Sequence, residues 1–210
     1  TPISSQEEMD RIIPVLDKIK NEVECLISID TYKADVASEA IKYGADIVND
    51  ITGLSHDPEM INLVVKNKIP VILMHMQGTP KSMQKNPYYH NVIDEISTFF
   101  KKQIVKLDKK GFPKNKIILD PGIGFGKNLQ HNLKILKNID IICNLGCHTL
   151  IGTSRKSFIG DLLKCPPEKR LEGTISSNLY AIIQGVKIIR VHDVLEVRKA
   201  LTILEKILRA

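Results

Sequence analysis

The sequence predicts an α/β fold with a parallel sheet, and three observations support this fold class. The chain alternates between short runs rich in Val, Ile and Leu and longer helix-like segments. The apolar runs alternate little with polar residues, as expected of strands buried on both faces. Polar or charged residues are costly inside such strands but can gather at their carboxyl ends, where these folds bind ligands. Six runs end in this way, at Asp30, Asp50, His75, Asp120, Lys156 and Asp193.

Local signals give the order of the elements. Ser4 or Ser5 is expected to cap a first helix that Pro14 kinks, and Gly44 is expected to end the second helix. The predicted helices span residues 6–21, 33–43, 58–67, 92–110, 129–139, 171–184 and 194–208. The predicted strands span residues 26–30, 46–51, 70–76, 116–122, 149–156 and 187–193.

The length bears on the architecture. Dividing the 210 residues among six strand–helix pairs gives about 35 residues each, whereas a (β/α)8 barrel typically needs ~250 residues. A barrel would therefore leave two units outside this sequence, and the opening helix, which no strand precedes, predicts that they lie on the N-terminal side. A doubly wound six-stranded sheet fits the length without missing units and stays an alternative. Residues 1–210 are predicted to form a single domain, since no linker or low-complexity segment interrupts the alternation.

The composition argues against several classes of protein. No run approaches the ~18 apolar residues of a membrane span, and the first residues lack a secretory-signal pattern, so a cytoplasmic protein is expected. The net charge of +6 comes largely from lysines on helix faces, and with 5% aromatic residues nucleic-acid binding is not expected. Cys143 and Cys147 are four residues apart, but no second close pair follows, so free thiols are favoured over zinc.

Two carboxylates and one amide end predicted strands. Asp120, in LDPG, fits either a turn-capping residue or a buried carboxylate that accepts two N–H donors from a guanidine-like ring edge. Asp30 could N-cap the next helix or bind a ligand. Asn49 is harder to explain by packing, because a buried amide requires hydrogen-bond partners.

Cations and hydroxyls end the last two predicted strands. SRKS begins at Ser154 and includes Arg155 and Lys156, and IRVHD supplies Arg190 and His192, which point the same way if both lie on a strand. These residues favour an anion site, which in barrels often follows the seventh and eighth strands. The intervening GIGFGKN loop matches no phosphate-binding motif fully, and its glycines could instead admit a flat ligand. The other histidines are expected to be ordinary loop or surface residues, namely His56, His90, His131 and His148.

Seven segments, taken together, resemble the dihydropteroate synthase family. They are SIDTYKADVA (28–37), IVNDITG (47–53), ILMHMQGTPKSMQ (72–84), ILDPGIGFGKN (118–128), GTSRKSFIG (152–160), RLEGT (170–174) and IRVHDV (189–194). They follow the family's order across nearly the whole chain. That family is a pterin-binding TIM (β/α)8 barrel, so the resemblance implies that this chain holds about six of eight βα units.

The resemblance also implies a reaction and a set of site residues. The family condenses 4-aminobenzoate with (7,8-dihydropterin-6-yl)methyl diphosphate, which gives 7,8-dihydropteroate and pyrophosphate in folate biosynthesis. Ser154 would hold the aminobenzoate carboxylate, and Arg190 and His192 would contact the diphosphate. Lys156, Arg190 and His192 would be the catalytic residues. The residues implied to bind or line the pterin pocket are Asp30, Asn49, Met74, Asp120, Phe125, Gly152, Lys156 and Arg190.

The same resemblance implies Mg²⁺ on the diphosphate and a homodimer, with no nucleic-acid or membrane partner. The family's first two strands have no counterpart here, so its magnesium ligand is not expected in this chain. Three alternatives remain open. A pterin-binding methyltransferase that serves a corrinoid would lack SRKSFIG and RVHDV. A non-catalytic pterin-binding protein would bind without turnover, and a generic phosphate-binding barrel would not explain Asp120 together with Asn49.

Overall fold

The computed structural model describes residues 3–210, in which six strands alternate with helices. The strands are β1 Ser28–Asp30, β2 Ile47–Asp50, β3 Val71–Met74, β4 Ile117–Asp120, β5 His148–Ile151 and β6 Ile188–Ile189. The helices are α1 Ser5–Ile19, α2 Ala34–Lys42, α3 Pro58–Asn67, α4 Val92–Asp108, α5 Leu129–Lys137, α6 Ile139–Cys143, α7 Ser157–Leu163, α8 Leu171–Ile183 and α9 Val194–Arg209. Single 3₁₀ turns cover Lys114–Lys116 and Pro167–Lys169.

The strands follow one another in the sheet in chain order, from β1 to β6. β1 pairs with β2, β2 with β3 and β5 with β6, each in parallel. A doubly wound sheet reverses its strand order at a switch point, and this sheet does not, so the doubly wound alternative is wrong. The order is that of a (β/α)8 barrel, and the prediction of six βα units is confirmed.

The chain divides into two compact units. The first unit comprises the residues up to His75 together with Phe100–Ile118, and the second comprises Met76–Phe99 together with Leu119–Ala210. The prediction of a single domain over residues 1–210 stays a prediction.

In the first unit, α1 and α2 enclose an apolar cluster beside β1. Partly buried apolar residues of α1, among them Met9, Ile12 and Ile13, pack against it. A partly buried ion pair reinforces the start of α1, because Lys33 Nζ lies 2.8 Å from Glu8 Oε2 and Thr31 donates to Glu8 Oε1 at 2.6 Å. The buried members of the cluster are Leu16, Ile29, Val36, Ala40 and Ala45.

The structure corrects several element boundaries. Ser4 caps α1 as predicted, with its hydroxyl accepting from the Glu7 amide at 3.1 Å. Asp30 does not cap α2; the N-cap is Lys33, and the side chain that accepts from the Ala34 amide is Asp57, at 2.8 Å. The helix predicted over 129–139 ends at Lys137, because the backbone leaves helical geometry at Asn138, and the short helix α6 that follows was not predicted.

Two further predictions were incomplete. Helix α7 was missed; it is only seven residues long and contains a glycine, so it carries little periodic signal. The last strand was predicted over 187–193 but contains only Ile188 and Ile189. Among the residues that the structure describes, no helix has the length and apolar character needed to cross a membrane.

Replacing Leu16 by Ala should lower the free energy of unfolding by about 2–5 kcal/mol, because it opens a cavity under α1 that the cluster cannot fill. Val15 on the same helix is exposed, so Val15→Ala should change stability by less than about 0.5 kcal/mol. Urea denaturation of both variants measures the difference. Equal losses would contradict the assigned packing of α1.

Candidate active site

The predicted site residues stand at or just beyond the carboxyl ends of their strands, as the sequence predicted. β1 ends at Asp30, β3 at Met74 and β4 at Asp120, and β2 carries Asn49 as its penultimate residue. Gly152 and Ser154 follow β5, Arg190 directly follows β6, and His192 lies two residues farther on.

In the first unit, an amide orients a carboxylate. The parallel register sets Asp30 opposite Asn49, and Asn49 Nδ2 donates to Asp30 Oδ1 at 2.8 Å. Asn49 is buried, and its Oδ1 has no hydrogen-bond partner. Leaving a buried acceptor unpaired is costly, so this oxygen is a candidate acceptor for a ligand N–H group.

Asp50, next to Asn49, has a different task. Its carboxylate accepts from the Thr52 amide and hydroxyl, both at 2.7 Å, and from the Leu54 amide at 3.0 Å. Burial raises the pKa of Asp50, and the hydrogen bonds from Thr52 and Leu54 oppose the rise. Asp50 is therefore a turn residue, although it ends its apolar run in the same way as Asp30 and Asp120.

In the second unit, Asp120 is buried at the end of β4. Its Oδ1 accepts from the Gly122 amide at 2.8 Å, so the turn-capping prediction for this residue is confirmed. Burial raises the pKa of Asp120; Lys156, the Gly122 amide, Lys127 and Arg190 act in the opposite direction. The ligand-binding prediction for Asp120 stays open beside the turn role.

Lys156 reaches across the glycine-rich loop. Its Nζ donates to the Ile123 carbonyl and lies 4.8 Å from the centroid of the Phe125 ring. Burial lowers the pKa of Lys156 to about 8, with Asp120 raising it and Arg190 lowering it further. A partly desolvated cation thus faces both an aromatic ring and a buried carboxylate, which suits the binding of a flat polar heterocycle.

Gly152 leaves open backbone beside two cations. A Cβ atom there would lie 3.9 Å from Lys156 Nζ and 3.9 Å from Arg190 Cβ. Arg190 is exposed, although its amide still donates to the Ile151 carbonyl at 2.9 Å. Because β6 ends before Arg190, the argument that Arg190 and His192 share one face of a strand is wrong.

Ser154 and His192 are joined by two hydrogen bonds. The His192 amide donates to Ser154 Oγ at 3.1 Å, and Oγ lies 2.9 Å from His192 Nδ1. Where the hydroxyl donates to Nδ1, the neutral ring carries its proton on Nε2. The ring can then present an N–H donor to an anion from its other edge.

Arg155 is not a free cation of the site, which corrects the sequence interpretation. Its Nε donates to Asp193 Oδ2 at 2.9 Å and its second nitrogen donates to Oδ1, so the pair is bidentate. Hydrogen bonding from Arg155 holds the pKa of Asp193 below its usual value. The Arg155 amide also donates to Thr174 Oγ1 at 3.0 Å, which fixes the turn after β5.

The glycine-rich loop is held by the segment that follows β3. Tyr89 donates its hydroxyl to the Gly126 carbonyl at 2.9 Å, and Gln84 donates to the Gly124 carbonyl. A Cβ on Gly126 would lie only 2.7 Å from the Gln77 carbonyl oxygen, and Gly126 has a φ of +64°. Gly126 therefore allows close contact with protein backbone, whereas the sequence interpretation proposed a flat ligand.

The helix after this loop is capped by its own residues. Asn128 Oδ1 accepts from the His131 amide at 2.8 Å, and the two residues form a capping box at the start of α5. The His131 ring also packs edge-on against Tyr89 with centroids 4.9 Å apart. The structure thus assigns a structural role to His131, which the sequence interpretation treated as an ordinary loop or surface residue, and it reveals Tyr89, Gln77 and buried Lys127 as unpredicted parts of the region.

No cluster of three His, Cys, Asp or Glu side chains within the described range could hold a metal ion. The groups beside the predicted anion site, Ser154, Arg190 and His192, do not form the oxygen-donor set that Mg²⁺ prefers. These residues do not by themselves fit a magnesium site.

In the second unit, a buried carboxylate with two lysines acting on it and an aromatic ring beside Lys156 suits a bicyclic heterocycle with N–H donors. A family model described as "Pterin binding enzyme" matches residues 1–192. The chain belongs to the pterin binding enzyme family.

Relatives within that family narrow the assignment. The chain is 43% identical over 208 residues to the dihydropteroate synthase of Escherichia coli K12, an alignment that covers 99% of this chain and 73% of that protein. The Yersinia pestis dihydropteroate synthase, solved in complex with a sulfonamide drug, superposes with a TM-score of 0.95 at 41% identity, covering 100% and 76% of the two chains. The Xanthomonas albilineans enzyme, solved with 4-aminobenzoic acid, gives a TM-score of 0.91 at 33% identity, covering 98% and 76%.

Within the family, the chain is a member of the dihydropteroate synthases, which are transferases of folate biosynthesis. The resemblance predicted from the seven segments is confirmed, and the methyltransferase alternative is not favoured.

Replacing Gly126 by Ala should destabilise the protein by about 1–3 kcal/mol through the contact with Gln77, added to about 1–2 kcal/mol for a side chain at positive φ. Because the loop must shift, binding of a dihydropterin should weaken as well. Gly111 has a φ of +71° and nothing within 4 Å of an added Cβ. Gly111→Ala therefore measures the cost of a side chain at positive φ without any steric contact. Urea denaturation and pterin titration of both variants measure the two effects; equal behaviour would refute the role of the close contact.

Proposed function

We propose that this chain joins 4-aminobenzoate to (7,8-dihydropterin-6-yl)methyl diphosphate, giving 7,8-dihydropteroate and pyrophosphate. The observation that carries the proposal is the buried Asp120 carboxylate with Lys156 and Phe125 beside it. Its setting supports a donor-rich, flat ring as the ligand. Membership of the dihydropteroate synthases supports the particular reaction.

The pterin edge is recognised by charge and by hydrogen-bond direction. Asp120 accepts from the ring N–H and the exocyclic amine, which is a bidentate charge-assisted contact. Lys156 donates to the ring carbonyl. Asn49, whose Oδ1 is unpaired, and Asp30, which Asn49 orients, are the residues of the first unit that we propose as pterin ligands.

The faces of the pterin meet apolar and cationic groups. In the second unit, Phe125 contacts the ring, Gly152 presents backbone without a side chain, and Arg190 covers the open face with its planar guanidinium. Met74, in the first unit, is a further proposed pterin contact. Support comes from the exposure of Arg190 next to Gly152 and from the burial of Met74 at the end of β3.

The leaving group is stabilised by Arg190 and His192. The bond between the methylene carbon and the diphosphate oxygen breaks, and its electron pair departs on pyrophosphate while the pterin ring donates electron density to the carbon. The amine nitrogen of 4-aminobenzoate then forms the new C–N bond, and its proton passes to the departing pyrophosphate. No nucleophilic side chain is required, so the residues act by orientation and by stabilising the departing anion.

Ser154 holds the aminobenzoate carboxylate. Because a hydroxyl has a single proton to donate, Ser154 turns it from His192 Nδ1, 2.9 Å away, to the carboxylate when this substrate binds. Mg²⁺ is proposed to arrive on the diphosphate and to neutralise part of its charge. Among the described residues, no group of three His, Cys, Asp or Glu side chains could bind it.

The protein is further proposed to be a cytoplasmic homodimer. Support for self-association comes from an apolar depression of about 420 Å³ in the second unit, between α7 and α8. Its rim includes Leu162, Leu163 and Tyr180, which are exposed although apolar. Large exposed apolar patches commonly mark contact surfaces.

Asp120→Asn should reduce the affinity for the pterin diphosphate by about 100-fold or more, because one acceptor becomes a donor that faces a donor and a charged contact is lost. Isothermal titration measures the affinity. Asp140→Asn, at an exposed position of α6, should bind like the wild type. Wild-type affinity in the Asp120 variant would refute the assigned pterin edge.

Ser154→Ala should raise the KM for 4-aminobenzoate about tenfold, as expected for one lost hydrogen bond near the upper end of the usual range. The KM for the pterin diphosphate should rise less, since Ser154 affects that substrate only through the orientation of His192. Steady-state kinetics with each substrate varied in turn measure both constants. An equal rise in both would count against the role of Ser154 at aminobenzoate.

A further inference from the structure

The turn between β5 and α7 places two proposed substrate ligands on either side of a strained residue. Ser154 and Lys156 flank Arg155, whose φ is +55°. Residues with a Cβ rarely adopt this left-handed conformation, and it persists only where the surrounding structure holds it. The side chains that hold Arg155 therefore help to decide where its two neighbours lie.

Arg155 is held through its backbone by two residues at the start of α8. Its amide donates to Thr174 Oγ1 at 3.0 Å, and its carbonyl accepts from Arg170 Nη1 at 2.8 Å. Arg170 immediately precedes α8, and Thr174 lies in the first turn of that helix. Backbone groups removed from water require partners, and at Arg155 these two side chains supply them.

The two holding residues are joined to each other. The Thr174 hydroxyl donates to the Arg170 carbonyl at 2.9 Å. Because a hydroxyl has one proton, Thr174 Oγ1 meets the Arg155 amide as an acceptor. Thr174 is fully buried, so bulk water does not compete for this oxygen.

Arg170 is anchored to a third segment as well. Its Nε and Nη2 donate to the Cys165 carbonyl at 3.3 Å and 3.2 Å, while Nη1 reaches Arg155. One planar guanidinium thus bridges two carbonyls, which suits its fixed fork of donors. Gly160 makes this approach possible, because a Cβ there would collide with the guanidinium.

The backbone of Arg155 links the two residues that the proposed reaction uses. Ser154 Oγ lies 2.9 Å from His192 Nδ1, and Lys156 Nζ donates to the Ile123 carbonyl. Arg155 joins Ser154 to Lys156 directly in the chain. A change in its backbone conformation would therefore move both side chains.

We propose that Arg170 is a positioning residue of the transfer reaction. Together with Thr174 it holds Arg155 in the left-handed conformation, and it thereby sets Ser154 at 4-aminobenzoate and Lys156 at the pterin. The inference rests on the proposed function, because it takes the roles of Ser154 and Lys156 from there.

Arg170→Met keeps a long apolar side chain but removes every donor. We expect the KM for 4-aminobenzoate to rise about three- to tenfold through Ser154, and the KM for the pterin diphosphate to rise by a similar factor through Lys156, as for a weakened hydrogen bond at each substrate. Steady-state kinetics of the full protein, with each substrate varied in turn, measure both constants.

Two controls accompany this variant. Lys169→Met removes the neighbouring cation, which is exposed, and should keep both KM values. Leu16→Ala destabilises the first unit, away from this turn, and should also keep both KM values in the folded protein. A rise in either control equal to that in Arg170→Met would overturn the proposal.

A double-mutant cycle separates positioning from a general loss of structure. If Arg170 acts on 4-aminobenzoate through Ser154, then Arg170→Met should leave the KM for this substrate nearly unchanged in a Ser154→Ala background, while the KM for the pterin diphosphate still rises. Residues that act independently multiply their effects instead. Multiplied effects on the aminobenzoate KM, or unchanged constants in a folded Arg170→Met protein, overturn the proposal.

Thr174 supplies a second pair of variants, which decides the question if Arg170→Met does not fold. Thr174→Val keeps the shape of the side chain but leaves the Arg155 amide without its acceptor, whereas Thr174→Ser keeps the hydroxyl. The valine variant should show the raised KM values expected of Arg170→Met, and the serine variant should behave like the wild type. Identical kinetics in the two variants would overturn the proposal.

Failure of this inference can be distinguished from failure of the proposed function. A folded wild-type protein that releases no pyrophosphate with both substrates present refutes the proposed function, and the role of Arg170 with it. Turnover by the wild type, together with unchanged KM values in the folded Arg170→Met protein, refutes only the role of Arg170.

Discussion

Burial of the Asp120 carboxylate at the end of β4 is the constraint on which the second unit depends. A carboxylate removed from water favours its neutral form, and burial does raise the pKa of Asp120. The turn amide of Gly122 and two lysines counter this effect. In the glycine-rich loop that follows, Gly126 lets the backbone approach Gln77 closely.

In the first unit, the carboxylate at the end of β1 is less buried than Asp120. Asp30 is exposed, and Asn49 Nδ2 donates to its carboxylate at 2.8 Å. An exposed carboxylate keeps most of its hydration, so its position costs less free energy than that of the buried Asp120. Two aspartates at strand ends thus differ in how far they are removed from water.

Much of this arrangement could be predicted from the sequence, because it depends on local pattern. Apolar runs with polar ends predicted six strands and the ends at which Asp30, Asn49 and Asp120 stand. The roles of Arg155 and Lys156 could not be separated in this way, because both are cations in one SRKS motif. Arg155 has a φ of +55° and pairs with Asp193, which is 38 residues away in the chain. Contacts between residues so far apart in the chain depend on tertiary packing, which the local pattern of apolar and polar residues does not reveal.

Contacts between distant segments also explain why the surroundings of the glycine-rich loop and the length of the last strand were not predicted. Gly126, the residue before Lys127, meets Tyr89 and Gln77 from a segment about 40 residues earlier in the chain, which no local pattern of this loop indicates. The last strand ends early although its residues have high strand propensity, because ladder pairing decides its length and β5 pairs with two of its residues. Family motifs could indicate which residues matter, but only packing shows which of them contact one another.

The most direct test of the account is 4-aminobenzoate-dependent release of pyrophosphate from the dihydropterin diphosphate in the presence of Mg²⁺. The account predicts that pyrophosphate and dihydropteroate appear in equal amounts and only when both substrates are present. A folded protein that binds the pterin diphosphate but releases no pyrophosphate on addition of 4-aminobenzoate would contradict it, and would favour a pterin-binding protein without transferase activity.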